Sequence, residues 1–309
     1  MKYRILFATA AFVAALSAAR AEPVLHHVHG LAFTPDGRTL VVPAHIGLAL
    51  YRDGRWTKAP GPEHDFMGFS MTKRAIYSSG HPALHSPLKN PLGLVKSTDG
   101  GKSWQQLGLS GESDFHLMAA SFGSNAVYVF NGEPNSRLRQ SGLHVTQDDG
   151  KTWKDAAASG LSGQITSLAA HPATASTVAV GTSAGLHLSR DSGASFKRLG
   201  VPAVVTAVTF DFDGKHLYFA TDAADTLQRA ALDGAASTGL SLPALDRDFV
   251  LYVAQNPTNN GELAIATRRR DVYVSHDAGK TWQQVARNGD DAGLAPGRRP
   301  PSQRQPAGK

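Results

Sequence analysis

No cysteine occurs among the 309 residues. Disulfide bridges, thiolate nucleophiles and cysteine-ligated metal centres, the blue-copper type included, are therefore excluded. A membrane-length apolar run is missing too. The one sizeable stretch, Ile5 to Leu16, falls well short of the ~20 residues a bilayer needs. It follows basic Lys2 and Arg4 and precedes the small-x-small sequence Ala19-Arg20-Ala21, the layout of a secretory leader. Residues 1–21 are thus expected to be removed, leaving a mature chain from Glu22 that is delivered across the inner membrane to the periplasm or the exterior and has no membrane span. Charge surplus is scarce as well. The formal +6 sits at the ends: Lys2, Arg4 and Arg20 belong to the leader, and Arg298, Arg299, Arg304 and Lys309 outweigh Asp290 and Asp291 in the tail, so the body carries about +1. No basic face argues for nucleic acid. The tail, 288–309, is rich in Pro, Gly and Arg, has little to bury and is expected to be disordered.

What the chain does have is a repeat. Ser97-Thr98-Asp99-Gly100-Gly101-Lys102-Ser103-Trp104 recurs as Thr146-Gln147-Asp148-Asp149-Gly150-Lys151-Thr152-Trp153, as Ser189-Arg190-Asp191-Ser192-Gly193-Ala194-Ser195-Phe196 and as Ser275-His276-Asp277-Ala278-Gly279-Lys280-Thr281-Trp282. In such a turn the carboxylate accepts backbone N–H bonds, Gly takes the positive φ, and the aromatic is expected to plug the turn against its own sheet. The copies start 49, 43 and 86 residues apart. Since 86 is twice 43, a further copy is expected near 232, where Leu232-Asp233-Gly234 stands; Asp53-Gly54-Arg55-Trp56 is a worn copy upstream.

A 40–50-residue period is that of β-propeller blades. The motif resembles the Asp box, or BNR repeat, of sialidase-like propellers, in which Asp99, Asp148, Asp191 and Asp277 would be structural clips rather than catalytic groups. The expected fold is all-β: one six-bladed propeller over 22–287 with four-stranded antiparallel blades, seven blades being the alternative. Strand C shows the repeat best, as Gly47-Leu48, Gly93-Leu94, Gly142-Leu143 and Gly185-Leu186. Two connections from strand B to strand C are long, His81 to Leu92 and Gly132 to Ser141, and loops on a rigid scaffold commonly carry function.

Aligning the innermost strands on their apolar residues puts Leu31, Phe69, Met118, Leu168, Val208 and Tyr252 in one column, with His29, Met67, His116, Thr166, Thr206 and Val250 two residues earlier. Two earlier again, on the same side of each strand, stand His27, Asp65, Asp114, Gln164, Val204 and Asp248. The ends of strand B add His45, His81 and Glu133. Ligand-type residues thus gather in blades one to three at one mouth of the central channel. Imidazole with thioether selects copper, particularly Cu(I); imidazole with carboxylate suits Cu(II) or Zn(II). The expectation is one copper ion held by His29, Met67 and His116, with His27, His45 and His81 as further ligands and Asp65, Asp114, Glu133 and Asp248 as supporting polar groups. The role would be metal handling or redox support.

Two other classes stay open. The sialidase resemblance implies an arginine triad, a Tyr/Glu nucleophile pair, an Asp acid and an Arg-Ile-Pro stretch before the first Asp box. Arg-Ile-Pro is absent and no mouth position holds tyrosine. A carboxylate pair drawn from Asp65, Asp114, Glu133 and Asp248 would leave room for a glycosidase or a carbohydrate-binding protein. Enzymatic turnover is therefore left open, weighted against, with no catalytic residue assigned. The third class is a monomeric scaffold with a protein partner, similar to Asp-box assembly factors of photosystems.

Overall fold

In the computed structural model, residues 25–200, 202–222 and 226–290 are described, so the leader and the tail beyond Asp290 lie outside the described residues. Blade one comprises β1 (Ala32–Phe33), β2 (Leu40–Ala44), β3 (Gly47–Arg52) and β4 (Arg55–Lys58). Blade two comprises β5 (Asp65–Met71), β6 (Ile76–His81), β7 (Leu94–Ser97) and β8 (Gln105–Gly108). Blade three follows with β9 (Met118–Ala120), β10 (Val127–Asn131), β11 (Gly142–Thr146) and β12 (Lys154–Asp155), and blade four with β13 (Ile165–Ala170), β14 (Val178–Thr182), β15 (Gly185–Ser189) and β16 (Lys197–Leu199). Blade five holds β17 (Val205–Phe210), β18 (His216–Thr221), β19 (Thr226–Ala231) and β20 (Ser237–Ser241); blade six holds β21 (Val250–Asn256), β22 (Asn259–Thr267), β23 (Val272–Ser275) and β24 (Gln283–Ala286). Every sheet has four strands in chain order, all antiparallel, so the fold is the six-bladed propeller that the period predicts.

Six buried apolar clusters hold the ring, one at each blade interface. Val41, Leu48 and Ala59 of blade one meet Phe66, Phe69 and Ile76 of blade two, and the series continues round to a cluster in which Leu40, Val42 and Trp56 meet Ala264, Val272 and Val285 of blade six. Among the described residues no strand is exchanged between the first and last blades. Closure rests instead on that cluster and on a few bonds: Leu25 N–H to Gly289 O at 2.8 Å, Trp56 Nε1–H to Val285 O at 2.7 Å and Asn256 Nδ2–H to Gly37 O at 2.8 Å. Because Gly289 takes part, the structured body runs a little past 287 into the stretch the composition assigns to the tail.

The Asp boxes explain the period mechanically. Thr146 Oγ1 donates to Asp148 Oδ1 (2.9 Å), Asp148 accepts from Thr152 N–H (2.9 Å) and Thr152 Oγ1–H (2.6 Å), and Gly150 N–H donates to Thr146 Oγ1 (2.9 Å); the other three boxes repeat this. Two consecutive residues, not one, take positive φ, as at Asp149 (60°) and Gly150 (75°). Beyond its positive φ, the second position also sits against the neighbouring blade: a Cβ on Gly101 would meet Leu48 Cδ1 at 2.7 Å, one on Gly150 Leu94 Cδ2 at 3.3 Å and one on Gly193 Leu143 Cδ2 at 3.2 Å. Each of these is the strand-C leucine of the preceding blade. The aromatics plug their own turns, as where Trp104 Nε1–H donates to Gly101 O at 3.1 Å and its ring meets Phe66 of its own blade at 4.4 Å, and they also reach the preceding blade: Trp282 Nε1–H donates to Ser241 O of blade five at 2.8 Å, and Trp104 packs into the cluster between blades one and two. The boxes are thus interlocks between blades.

Antiparallel pairing fixes which face carries what. The start of each first strand pairs with the end of the second, as in Asp65 with His81, while the Asp boxes follow strand three at the other end. The mouth histidines His27, His29, His45, His81 and His116 and the Asp boxes therefore occupy opposite faces.

Candidate metal centre at the channel mouth

All six innermost strands line a central cavity of about 230 Å³, with His29, His116, Thr166 and Thr206 on its wall. At the Asp-box end the rings of Phe122 and Phe212 meet at 4.9 Å. Polar chemistry gathers at the opposite mouth.

Blade one supplies His27 and His29 from the segment leading into β1 and His45 from the turn after β2, and their ligand-type atoms lie within 4.8 Å of one another. Their rings are 4.1 to 5.6 Å apart, centroid to centroid. Asp65, at the start of β5, reaches into this set. Its Oδ2 accepts the His45 Nδ1–H bond at 2.6 Å, which leaves His45 Nε2 as the lone-pair nitrogen; a carboxylate so placed is the usual orienter of a ligating imidazole. Its Oδ1 faces His29 Nε2 at 3.8 Å, and both atoms are buried without a hydrogen-bond partner. Burial, outweighing the nearby Asp65 carboxylate, pulls His29 down to about 4, and burial also lowers His27, with His45 and Arg270 adding to the effect. Both are thus held as the neutral, ligating form at neutral pH.

Blades two and three supply another set. His81 Nε2 and His116 Nε2 converge on Asp114 Oδ2 at 3.2 and 2.6 Å. Asn90, in the long connection after β6, contacts His81 Nδ1 at 2.7 Å, a tether invisible in the repeat. The Asp114 hydrogen bond raises His116 above the ordinary imidazole range. His64, buried, accepts the Ala83 N–H bond at 3.0 Å and so anchors the start of the same connection.

The other predicted site residues stand as follows. Met67 sits on a bulge of β5, where Met67 and Gly68 stand between the pairs Phe66–Gly80 and Phe69–Ser78. Glu133 is exposed in the connection after β10. Asp248 accepts backbone N–H bonds from Phe249 (2.9 Å) and Arg269 (3.1 Å), which ties it to the turn after β22. Blade six is displaced by one residue from the sequence alignment, since its bulge leaves Leu251 unpaired as Thr166 and Thr206 are in blades four and five; Leu251 lines the channel and Val250 is fully buried. A further cluster, Asp211, Asp213 and His216 in blade five, is neutralised by Arg229, which bonds Asp211 at 2.8 Å and Asp213 at 2.7 Å. His144, buried in β11, is tied to Asp155 and Gln140 and is structural.

The class these observations define is a six-bladed propeller built on BNR/Asp-box repeats, and the BNR/Asp-box repeat profile matches residues 273–284, the last box. Similar solved structures include a GH74 enzyme of Niastella koreensis, at TM-score 0.59 and 15% identity over 85% of this chain and 45% of that one. Another is described as the extracellular domain of a hybrid two component system from B. thetaiotaomicron, at TM-score 0.54 and 14% identity over 85% and 33%. YCF48, solved bound to a peptide, aligns at TM-score 0.49 and 18% identity over 85% and 82%. The chain thus spans less than half the length of the first two, and at these identities the likeness concerns the fold alone. No curated protein matches the chain in sequence. Among the described residues no helix is long and apolar enough to cross a membrane.

Proposed function

We propose that this propeller is an exported metal-binding protein whose channel mouth holds a divalent transition-metal ion, copper first among them, through His27, His29, His45 and Asp65. One observation carries the reading: two buried donors without partners, His29 Nε2 and Asp65 Oδ1, face each other across 3.8 Å. That gap is too long for a hydrogen bond and within the span of two donors each ~2.1 Å from a shared ion. Buried polar atoms are nearly always paired in folded proteins, so such an arrangement asks for a ligand. The nitrogen and oxygen donors suit Cu(II) or Zn(II) better than the Cu(I) that a His2Met set would favour, and for one such site Cu(II) binds more tightly than Zn(II).

The test is calorimetric titration of the mature chain with Cu(II) and Zn(II). Stoichiometric binding that is lost in His29→Ala, weakened roughly 10- to 100-fold in Asp65→Asn, where the orienter of His45 is blunted, and unaffected in Met67→Ala supports the site. Binding unchanged in His29→Ala and His45→Ala refutes it. A scaffold reading has its own support in Ile46, Leu84 and Leu88, the exposed large apolar side chains of the described residues, all on the connections of blades one and two at this same face. Absence of any metal binding would hand the case to it.

A further inference from the structure

Resting on that reading, we infer that the mouth holds two ions rather than one, with His81, Asp114 and His116 forming a second, solvent-open divalent-metal site beside the first. Three observations carry the inference. The two imidazole nitrogens and the carboxylate converge within 4.8 Å, and both imidazoles point their Nε2 atoms at the same oxygen, Asp114 Oδ2. Asp114 Oδ1 is buried and has no hydrogen-bond partner, so the carboxylate has acceptor capacity left over. His81 is held from behind, since its Nδ1 meets Asn90 Oδ1 at 2.7 Å, which fixes the ring with Nε2 turned to Asp114, where an ion would take the place of the protons that the imidazoles share with the carboxylate.

The two sites adjoin. Asp65 of the first and His81 of the second are directly paired residues of the β5–β6 ladder, so their Cα atoms stand about 5 Å apart. They differ in access. The His29 side chain is 14% exposed, whereas those of His81 and His116 are 41% and 57% exposed. Two imidazoles and one carboxylate on an open rim leave coordination positions free for water or for an incoming ligand, the pattern of an exchangeable site. The inner ion is retained and the outer one exchanges.

The experiment is metal counting on the full mature chain loaded with Zn(II), by elemental analysis and calorimetry, before and after a brief exposure to EDTA. Two ions per chain are expected, one of them stripped quickly. Asp114→Asn and His116→Ala should each remove the labile ion and keep the resistant one, while His29→Ala should remove the resistant one. Thermal melts check that each variant folds, and His81→Ala replaces any that does not. One ion per chain, lost in His29→Ala and kept in His116→Ala, overturns the second site while leaving the first standing. A single ion lost in either variant means one shared site and also overturns it. Two ions retained in Asp114→Asn and His116→Ala overturn it as well, and no ion at all overturns both readings.

Discussion

An Asp-box carboxylate acts here as an acceptor rather than as a charge. Asp99, Asp148, Asp191 and Asp277 are each held near 2 in place of the ordinary 3.8, chiefly by the hydroxyl bond from Ser103, Thr152, Ser195 and Thr281 respectively. The folded value lies below the unfolded one, so between these values the unfolded chain binds more protons and folding weakens as acid is added. Stability from the boxes is therefore full above about pH 4 and lost as pH falls towards 2. Melting temperature followed from pH 5 to 2 should drop across that window, and Asp148→Ala should shrink the drop; a flat profile would deny the boxes this role. The neighbouring glycine acts sterically. Gly101→Ala places a methyl 2.7 Å from Leu48 Cδ1 at φ +90° and should cost about 1–3 kcal/mol in urea unfolding. No loss would show that the blades do not interlock there.

At the scale of elements, the ring is closed by side chains. Trp56 is 9% exposed, packs with Val285 and Tyr51 and donates to Val285 O, so Trp56→Ala should cost about 3–5 kcal/mol, measured by denaturant unfolding. A loss under 1 kcal/mol would mean that closure lies elsewhere. Much of this was legible in the sequence because a blade repeats: the spacing of Asp99, Asp148, Asp191 and Asp277 gives the count of six, and a Gly-Leu start marks the third strand of blades one to four. What escaped was whatever breaks the repeat. A bulge is one extra unpaired residue, with no composition of its own, so Leu251 in place of Val250 could not be told from the column. The gathering of His27, His29 and His45 was readable because two of them alternate on one segment and the third ends the strand beside it. The separation of His81, Asp114 and His116 into their own set, and the attachment of Asp248 to backbone, depend on side-chain directions that spacing does not carry.

At the scale of the whole molecule, a rigid ring with one end narrowed by Phe122 and Phe212 presents a single polar mouth whose imidazoles and carboxylates engage one another. This weighs against glycoside chemistry: Asp65 and Asp114 each bond to imidazoles, whereas an acid catalyst needs a carboxyl free to hold a proton. Purified mature protein is expected to release no product from simple glycosides, sialosides included, in a chromogenic assay. Turnover that vanishes in Asp65→Asn or Asp114→Asn would contradict this. Metal binding is the central claim, and the most direct measurement is an anomalous difference map at the copper edge from crystals of the mature chain grown with Cu(II). A peak enclosed by His27, His29, His45 and Asp65 is the predicted result; an empty mouth, or copper only at scattered surface histidines such as His276, would contradict it.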